Sequence, residues 1–421
     1  MLNLEFYDVV VLGAGPAGLA AGLSSYEEGA NTLIIEREKY PGGILKQCIH
    51  DGFGLVEFKE RLTGPEYAER FIKMVRNKKI PILTSTFVTS IKKEEEIFIL
   101  SVVSKDGIIK VGAKAIILAN GCRERTSKQI GIHGTRPSGV MTAGLAQYFV
   151  NIMGYLPCKK CIILGSGDIG LIMARRLTLE GAKVLGVYEV KNSPSGLTRN
   201  IVQCLNDFSI PLYLSKTITK ISGDDRVEGV EICDVDENMK PIKGTEKFIE
   251  CDGVILSVGL IPENEIAESL NVEIDNATKG PYVDQNFMTK VDGIFSCGNA
   301  LHVNDLVDYV TESGRLAGKS AAKYASSKYK RALNPIEIPL NKFLYAVPQY
   351  IDINSDNNKV VMYLRSRDIV KNVKVIIKSR NEILYEKRYT HLNPPEMERI
   401  VFDFNRSSLN DYSIKILMQE G

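Results

Sequence analysis

Asp8-Val9-Val10-Val11-Leu12-Gly13-Ala14-Gly15-Pro16-Ala17-Gly18 decides the fold of this chain. An apolar strand runs into a glycine turn, and the small residues after it continue as a helix to about Glu28. Thr32-Leu33-Ile34-Ile35 follows as a second strand and ends at Glu36. Strand, turn, helix and strand in that order make a βαβ unit, which implies a parallel sheet. The spacing assigns separate tasks to the glycines: Gly13 permits the tight turn, Gly15 lets backbone approach a pyrophosphate, and Gly18 lets the helix pack on the sheet. Pro16 and Ala17 open the helix, whose unpaired N–H groups favour phosphate. Glu36 stands where a carboxylate can accept from ribose hydroxyls.

The pattern returns once. Cys161-Ile162-Ile163-Leu164 leads into Gly165-Ser166-Gly167-Asp168-Ile169-Gly170, then a helix to Glu180 and a strand from Lys183 to Tyr188 that ends at Glu189. Gly165, Gly167 and Gly170 take the same three tasks, with Asp168 and Ile169 at the helix start. A carboxylate at Glu189 accepts from a ribose 2′-hydroxyl and repels a 2′-phosphate, which favours NAD(H) over NADP(H). Two further strands echo each other, Ala115 to Leu118 before Gly121 and Gly253 to Leu256 before Gly259. A duplicated dinucleotide-binding plan explains all of this, and a short-period repeat array does not.

Farther along, Ile294-Phe295-Ser296-Cys297-Gly298-Asn299 is a strand ending in Gly-Asn, followed by a helix expected over Leu306 to Tyr324. After about Asn341 short alternating strands dominate, divided by Asn, Asp, Ser and Pro, which reads as an all-β sandwich with Asn334-Pro335 as its linker. The expected organisation is α/β: residues 1–125 and 285–333 form one dinucleotide domain, 126–284 a second, and 334–421 the β domain.

Bulk properties agree. A length of 421 residues suits two or three domains. A net charge of +2 recommends neither nucleic acid nor an acidic membrane face as partner. No apolar run is long enough to span a bilayer. The early strand leaves no room for a signal peptide, and eight cysteines in a chain this long suit a reducing cytoplasm better than a disulfide framework.

These motifs resemble the two-dinucleotide-domain flavoproteins of the pyridine nucleotide-disulfide oxidoreductase superfamily, over roughly residues 1–330. The resemblance implies a glutathione-reductase-like pair of Rossmann-like domains, with FAD on the first fingerprint and NAD(P)H on the second. It places Gly298 and Asn299 at the flavin ribityl and pyrophosphate, with Asn299 where the family has Asp. It places Val88, in Thr86-Phe87-Val88-Thr89, beside the adenine. A narrower resemblance rests on Gly42-Gly43-Ile44-Leu45-Lys46-Gln47-Cys48-Ile49-His50 and on Gly121-Cys122-Arg123-Glu124-Arg125. It is to the FAD/NAD-binding subunits of proline dehydrogenase, opine oxidase and hydrogen cyanide synthase, and to flavoproteins encoded beside glycerol-3-phosphate dehydrogenase. It brings Gly43 to the FAD site. It also implies a small-molecule acceptor or a partner dehydrogenase subunit, with oligomerisation compatible.

Three readings stay open. The leading one is an FAD enzyme exchanging hydride with NAD(H), in either direction. The second is a thiol-disulfide or peroxide reductase using Cys48 or the Cys158/Cys161 pair. The third is a non-catalytic cofactor-bearing scaffold. No metal site is expected, because Cys158 and Cys161 lack two further ligands nearby. His50 and His302 lie in segments that the resemblance brings near flavin. Arg123 and Arg125 suit either an anionic ligand or ion pairs with Glu124.

Overall fold

The computed structural model describes residues 4–327, 329–380, 382–404 and 413–420. The chain divides into two compact units, one of residues 1–122 and 262–421 and the other of residues 123–261.

The first unit is built on a mixed sheet. Its parallel part orders Ile82–Leu83, Thr32–Ile35, Leu4–Leu12 and Gly107–Leu118. Val9, Val10 and Val11 are fully buried, because a strand covered on both faces must be apolar throughout. The first half of Gly107–Leu118 pairs antiparallel with Ile97–Ser104, which turns back onto Phe87–Glu94. The Lys92-to-Glu96 charge run thus closes a hairpin, as its composition implies. The last residues of Gly107–Leu118 pair in parallel with Ile294–Ser296, which returns the late segment to the first sheet. That return begins at residue 262, earlier than the expected 285. Ala267 and Val272 are buried in the core that holds Val10, Leu12 and Leu118, so apolar burial fixes the boundary.

The helix Pro16–Glu27 starts with proline at its first turn, where the missing N–H costs nothing. It packs against the helix Val307–Ser326, close to the expected span.

The second unit carries a five-stranded parallel sheet in the order Val140–Thr142, Gly253–Leu256, Lys160–Leu164, Lys183–Tyr188 and Leu212–Tyr213. A four-stranded sheet containing Lys216–Ser222 and Gly229–Asp234 accompanies it.

The C-terminal strands form the expected sandwich inside the first unit. One sheet has five strands and includes Val370–Ser379 and Ile414–Glu420. The other has three: Phe343–Val347, Lys359–Ser366 and Met397–Asp403. Asn334-Pro335 is not a linker. It lies in the strand Leu333–Glu337, paired with Tyr350–Asp352 on one side, while pairing with Ile414–Glu420 on the other side begins only at Ile336, past the proline.

The three-stranded sheet is buried on both faces. Val360, Met362 and Leu364 enter the sandwich core, while Val361 and Tyr363 alternate into the core of the first dinucleotide fold. Met362→Ala is expected to destabilise the protein by about 2–4 kcal/mol through cavity formation, read as a lower guanidinium midpoint.

Candidate functional site

The two fingerprints have the same geometry. Gly13 and Gly165 have φ of +106° and +100°. A Cβ on either would lie 2.4 Å from the Ala119 carbonyl oxygen or 2.1 Å from that of Ser257. A Cβ on Gly18 or Gly170 would lie 1.8 or 2.6 Å from the carbonyl oxygen of Gly13 or Gly165. The fold itself therefore requires those four glycines.

The middle glycines differ. Gly15 and Gly167 have ordinary extended backbone. A Cβ on Gly15 would meet only Gly43 Cα at 3.9 Å, and one on Gly167 would meet nothing within 4 Å. Packing does not explain glycine there, whereas backbone approach by a phosphate does. Both turns thus fit the dinucleotide that the sequence assigns to them.

A buried carboxylate straps each turn. Glu36 accepts from the Ala14 N–H at 2.7 Å and from the Glu38 N–H at 2.8 Å. Glu189 accepts from the Ser166 N–H at 3.0 Å, from the Ser166 hydroxyl and from the Lys191 N–H at 3.1 Å. Each acid therefore fixes its own phosphate turn. The carboxylates retain lone pairs beyond these bonds, so contact with ribose stays compatible.

Gly43 sits on the first turn. Its neighbour Gly42 donates its N–H to the Ala14 carbonyl at 2.7 Å, and a Cβ on Gly43 would lie 3.0 Å from Gly15 Cα. Gly121 and Gly259 each accept from a loop beyond their strand, through the Glu263 N–H and the Arg125 N–H. Val88 is buried in the sheet opposite Val102. In the second unit Asp168 accepts from the Leu197 N–H and the Asn200 amide, and Ile169 is partly exposed at the helix start.

Gly298 has φ of +61° and donates to Ser313 Oγ at 2.9 Å. Asn299 Oδ1 accepts from the Asn304 N–H at 3.1 Å, and its amide donates to Cys122 Sγ at 3.6 Å. A carboxylate could not make the second bond, which gives the Asn-for-Asp exchange a local partner. Asn120 Oδ1, Asn264 Oδ1, Ser296 Oγ and Asn304 Oδ1 are buried without a protein partner. Uncompensated polar atoms are costly, so their concentration around Gly121 and Gly298 fits a hydrogen-bonding ligand such as FAD. The sequence reading missed Asn264, Asn304 and Ser313. Only Asn120, beside Gly121, and Asn304, five residues past Asn299, carried any signal.

The cysteines are placed poorly for a relay. Cys48 donates to the Ile44 carbonyl at 3.4 Å and packs on Gly64, and burial pushes its thiol up to about 12. Such a thiol supplies little thiolate at neutral pH. Cys158 and Cys161 are buried at the start of the strand Lys160–Leu164, while the phosphate turn lies at its other end, about 13 Å away at strand rise. Ligands of open parallel sheets bind at the carboxyl ends of strands, so this pair sits at the wrong edge. The Cys158–Cys161 hydrogen bond pushes the Cys161 thiol far up, with burial added, and pulls the Cys158 thiol down against its burial. Glu124 is engaged by the backbone: it accepts from the Gly144 N–H at the start of the helix Ala143–Asn151. His50 packs against Phe53 with the rings tilted and their centroids 5.0 Å apart.

His302 is 1% exposed and packs against Tyr363 at 5.2 Å, and burial pulls its pKa down to about 3. Its ordinary value is about 6.5, so the unfolded chain binds the extra proton between the two values. The stability contribution is complete above pH about 6.5 and declines as pH falls toward about 3, by up to about 1.4 kcal/mol per pH unit. Urea unfolding between those limits should show this slope, and His302→Leu should flatten it. Glycine replacements separate fold from ligand. Gly18→Ala should lower the melting temperature of the apoprotein, whereas Gly15→Ala apoprotein should melt like the parent apoprotein but fail to take up the dinucleotide by flavin absorbance.

Comparison with known proteins agrees with this geometry. The model of the pyridine nucleotide-disulphide oxidoreductase family matches residues 7–322. An opine oxidase subunit of Rhizobium meliloti is 24% identical over 75% of this chain, and the match spans 62% of that relative. Thioredoxin reductase of Listeria monocytogenes is 27% identical over 76% of this chain and 94% of the relative. The crystal structure of T. acidophilum thioredoxin reductase superposes with a TM-score of 0.63 at 25% identity, covering 77% of this chain and 100% of that one. The chain belongs to the pyridine nucleotide-disulphide oxidoreductase family.

Proposed function

We propose that this protein moves hydride equivalents between NAD(H) and a bound FAD and exchanges them with a partner subunit or a small acceptor, not with a protein dithiol. The observation that carries the reading is the pair of complete fingerprints whose middle glycines, Gly15 and Gly167, stand open to a ligand. Against a dithiol relay, the Cys48 thiol is raised by burial, and the Cys158/Cys161 pair lies at the far end of its strand from the phosphate turn. Bound FAD supplies the two-electron chemistry.

The chain's own residues bind and orient. The Gly13–Gly18 turn, with Gly43 against it, would hold the FAD pyrophosphate, and Glu36 its adenosine ribose. Val88 would lie beside the adenine. Gly121, Gly298 and Asn299 would meet the ribityl chain and pyrophosphate. Gly165, Gly167 and Gly170, the helix start at Asp168 and Ile169, and Gly259 would hold NAD(H). Glu189 would disfavour a 2′-phosphate by charge. Hydride transfer itself asks for positioning and exclusion of water, not for a protein acid or base.

The partner expectation follows from the match to a protein named as a subunit, of which this chain spans less than two thirds. Oxidation of an amino acid, a hydroxy acid or glycerol 3-phosphate is the substrate chemistry that the resemblance favours. The eight free cysteines suit a reducing compartment.

Anaerobic titration with NADH should bleach the visible flavin bands, and NADPH should do so poorly. Cys48→Ser and the double replacement Cys158→Ser/Cys161→Ser should bleach like the parent. Disulfide or peroxide turnover by the parent that fails in either cysteine variant would transfer the reading to a thiol reductase, and an unresponsive parent would make the chain a cofactor-bearing scaffold.

A further inference from the structure

We propose that the three-stranded C-terminal sheet is part of the FAD site, with Arg365 acting as a positioning residue for the Asn299-to-Asp305 loop. The inference rests on the assignment of Asn299 to the flavin.

The loop is closed on itself at one end and held by the tail at the other. Asn299 Oδ1 accepts from both the backbone and the side-chain N–H groups of Asn304, at 3.1 and 3.3 Å. The Asn304 amide also donates to the His302 carbonyl at 2.9 Å. The next residue, Asp305, has both oxygens taken by the tail, one by Arg365 Nη2 at 2.5 Å and the other by the Met397 N–H at 2.6 Å.

Arg365 cannot turn away freely. Its Nε donates to the Tyr345 hydroxyl at 3.1 Å, and its Nη1 donates to the carbonyls of Pro394 and Pro395 at 2.8 Å each. A planar guanidinium whose donors are spent on four acceptors fixes a carboxylate in direction as well as distance. The His302 ring fills the same interface, 5.8 Å from Tyr345 and 5.2 Å from Tyr363.

The helix after the loop is held in the same way. Glu312 accepts from Arg399 Nε and from the Tyr363 hydroxyl, both at 2.7 Å. Tyr345, Tyr363 and Arg365, and Met397 and Arg399, come from all three strands of one sheet. This is more than a surface to rest on. The first acidic residue after the Gly-Asn motif has its orientation set by the tail, so the tail sets how Asn299 is presented.

The test uses holoprotein and follows FAD release on dilution by flavin fluorescence, with the visible absorption bands as a second readout. Arg365→Gln and Asp305→Asn should each weaken FAD retention about five-fold, the effect of roughly 1 kcal/mol, and shift the flavin bands. The double variant should be no weaker than the singles, because both break one interaction. Val375→Ala, in the sandwich core and away from the loop, should lower stability yet release FAD like the parent. The near-isosteric Asp305→Asn keeps the test valid if Arg365→Gln fails to fold. Parent-like FAD release in Asp305→Asn overturns the inference, as does equal weakening by Val375→Ala, which would reduce the tail to general support. A parent chain that binds no FAD overturns the cofactor assignment and this inference with it.

Discussion

Two helices far apart in sequence meet backbone to backbone, and the first unit depends on that contact. A Cβ on Gly314 would lie 2.2 Å from the Ala17 carbonyl oxygen, and one on Gly318 would lie 2.2 Å from that of Ala21. Gly298 also approaches Ala17 closely, since its Cβ would fall 2.8 Å from that of Ala17. Small residues on both helices allow this separation, and dispersion across the contact helps to hold it. The helix that opens at the first phosphate turn is thereby tied to the segment that carries Gly298 and Asn299. The proposed binding residues from the two ends of a discontinuous fold reach one place because glycine and alanine line the contact.

The same economy governs the phosphate turns. In each copy a glycine at positive φ makes the turn, a second glycine lets the helix return under it, and a buried acid ties the loop by its N–H groups. The acid is placed where the strand ends, so its distance from the turn is set by the length of one βαβ unit. Between these constrained positions lies one glycine per copy that the protein does not need for itself. That contrast supports a ligand more strongly than the glycine pattern does, because the pattern alone is also met by structural turns.

The tail grips the segment that follows Gly298 and Asn299. Its middle sheet is apolar on both faces, so it serves two cores at once and joins the sandwich to the dinucleotide fold. Along that interface two carboxylates are paired: Asp305 with Arg365, and Glu312 with Arg399 and Tyr363. Pairs held at a packed interface restrict orientation more than isolated surface pairs do. The cysteines follow the opposite logic. Burial raises the thiols of Cys48 and Cys297, which makes them packing groups before they are nucleophiles.

Residues 8–36 and 161–189 determined by themselves that the chain builds two dinucleotide folds, because strand, turn and helix there are dictated by local periodicity and by the steric needs of glycine. The alternating strands after Asn341 likewise announced a β domain, and the Lys92-to-Glu96 run announced its hairpin. Local patterns end there. Nothing near Pro262 marks the return to the first unit, since that boundary is fixed by burial of Ala267 and Val272 among residues of distant strands. Asn334-Pro335 has the composition of a linker and lies in a strand, because the ladder on its second side begins only at Ile336 and asks no donor of the proline. The partners of Asn299, the grip of Arg365 on Asp305 and the seat of Gly314 on Ala17 are contacts between residues far apart in the chain. Their geometry exists only once the sheets have closed, so the tertiary structure alone decided them.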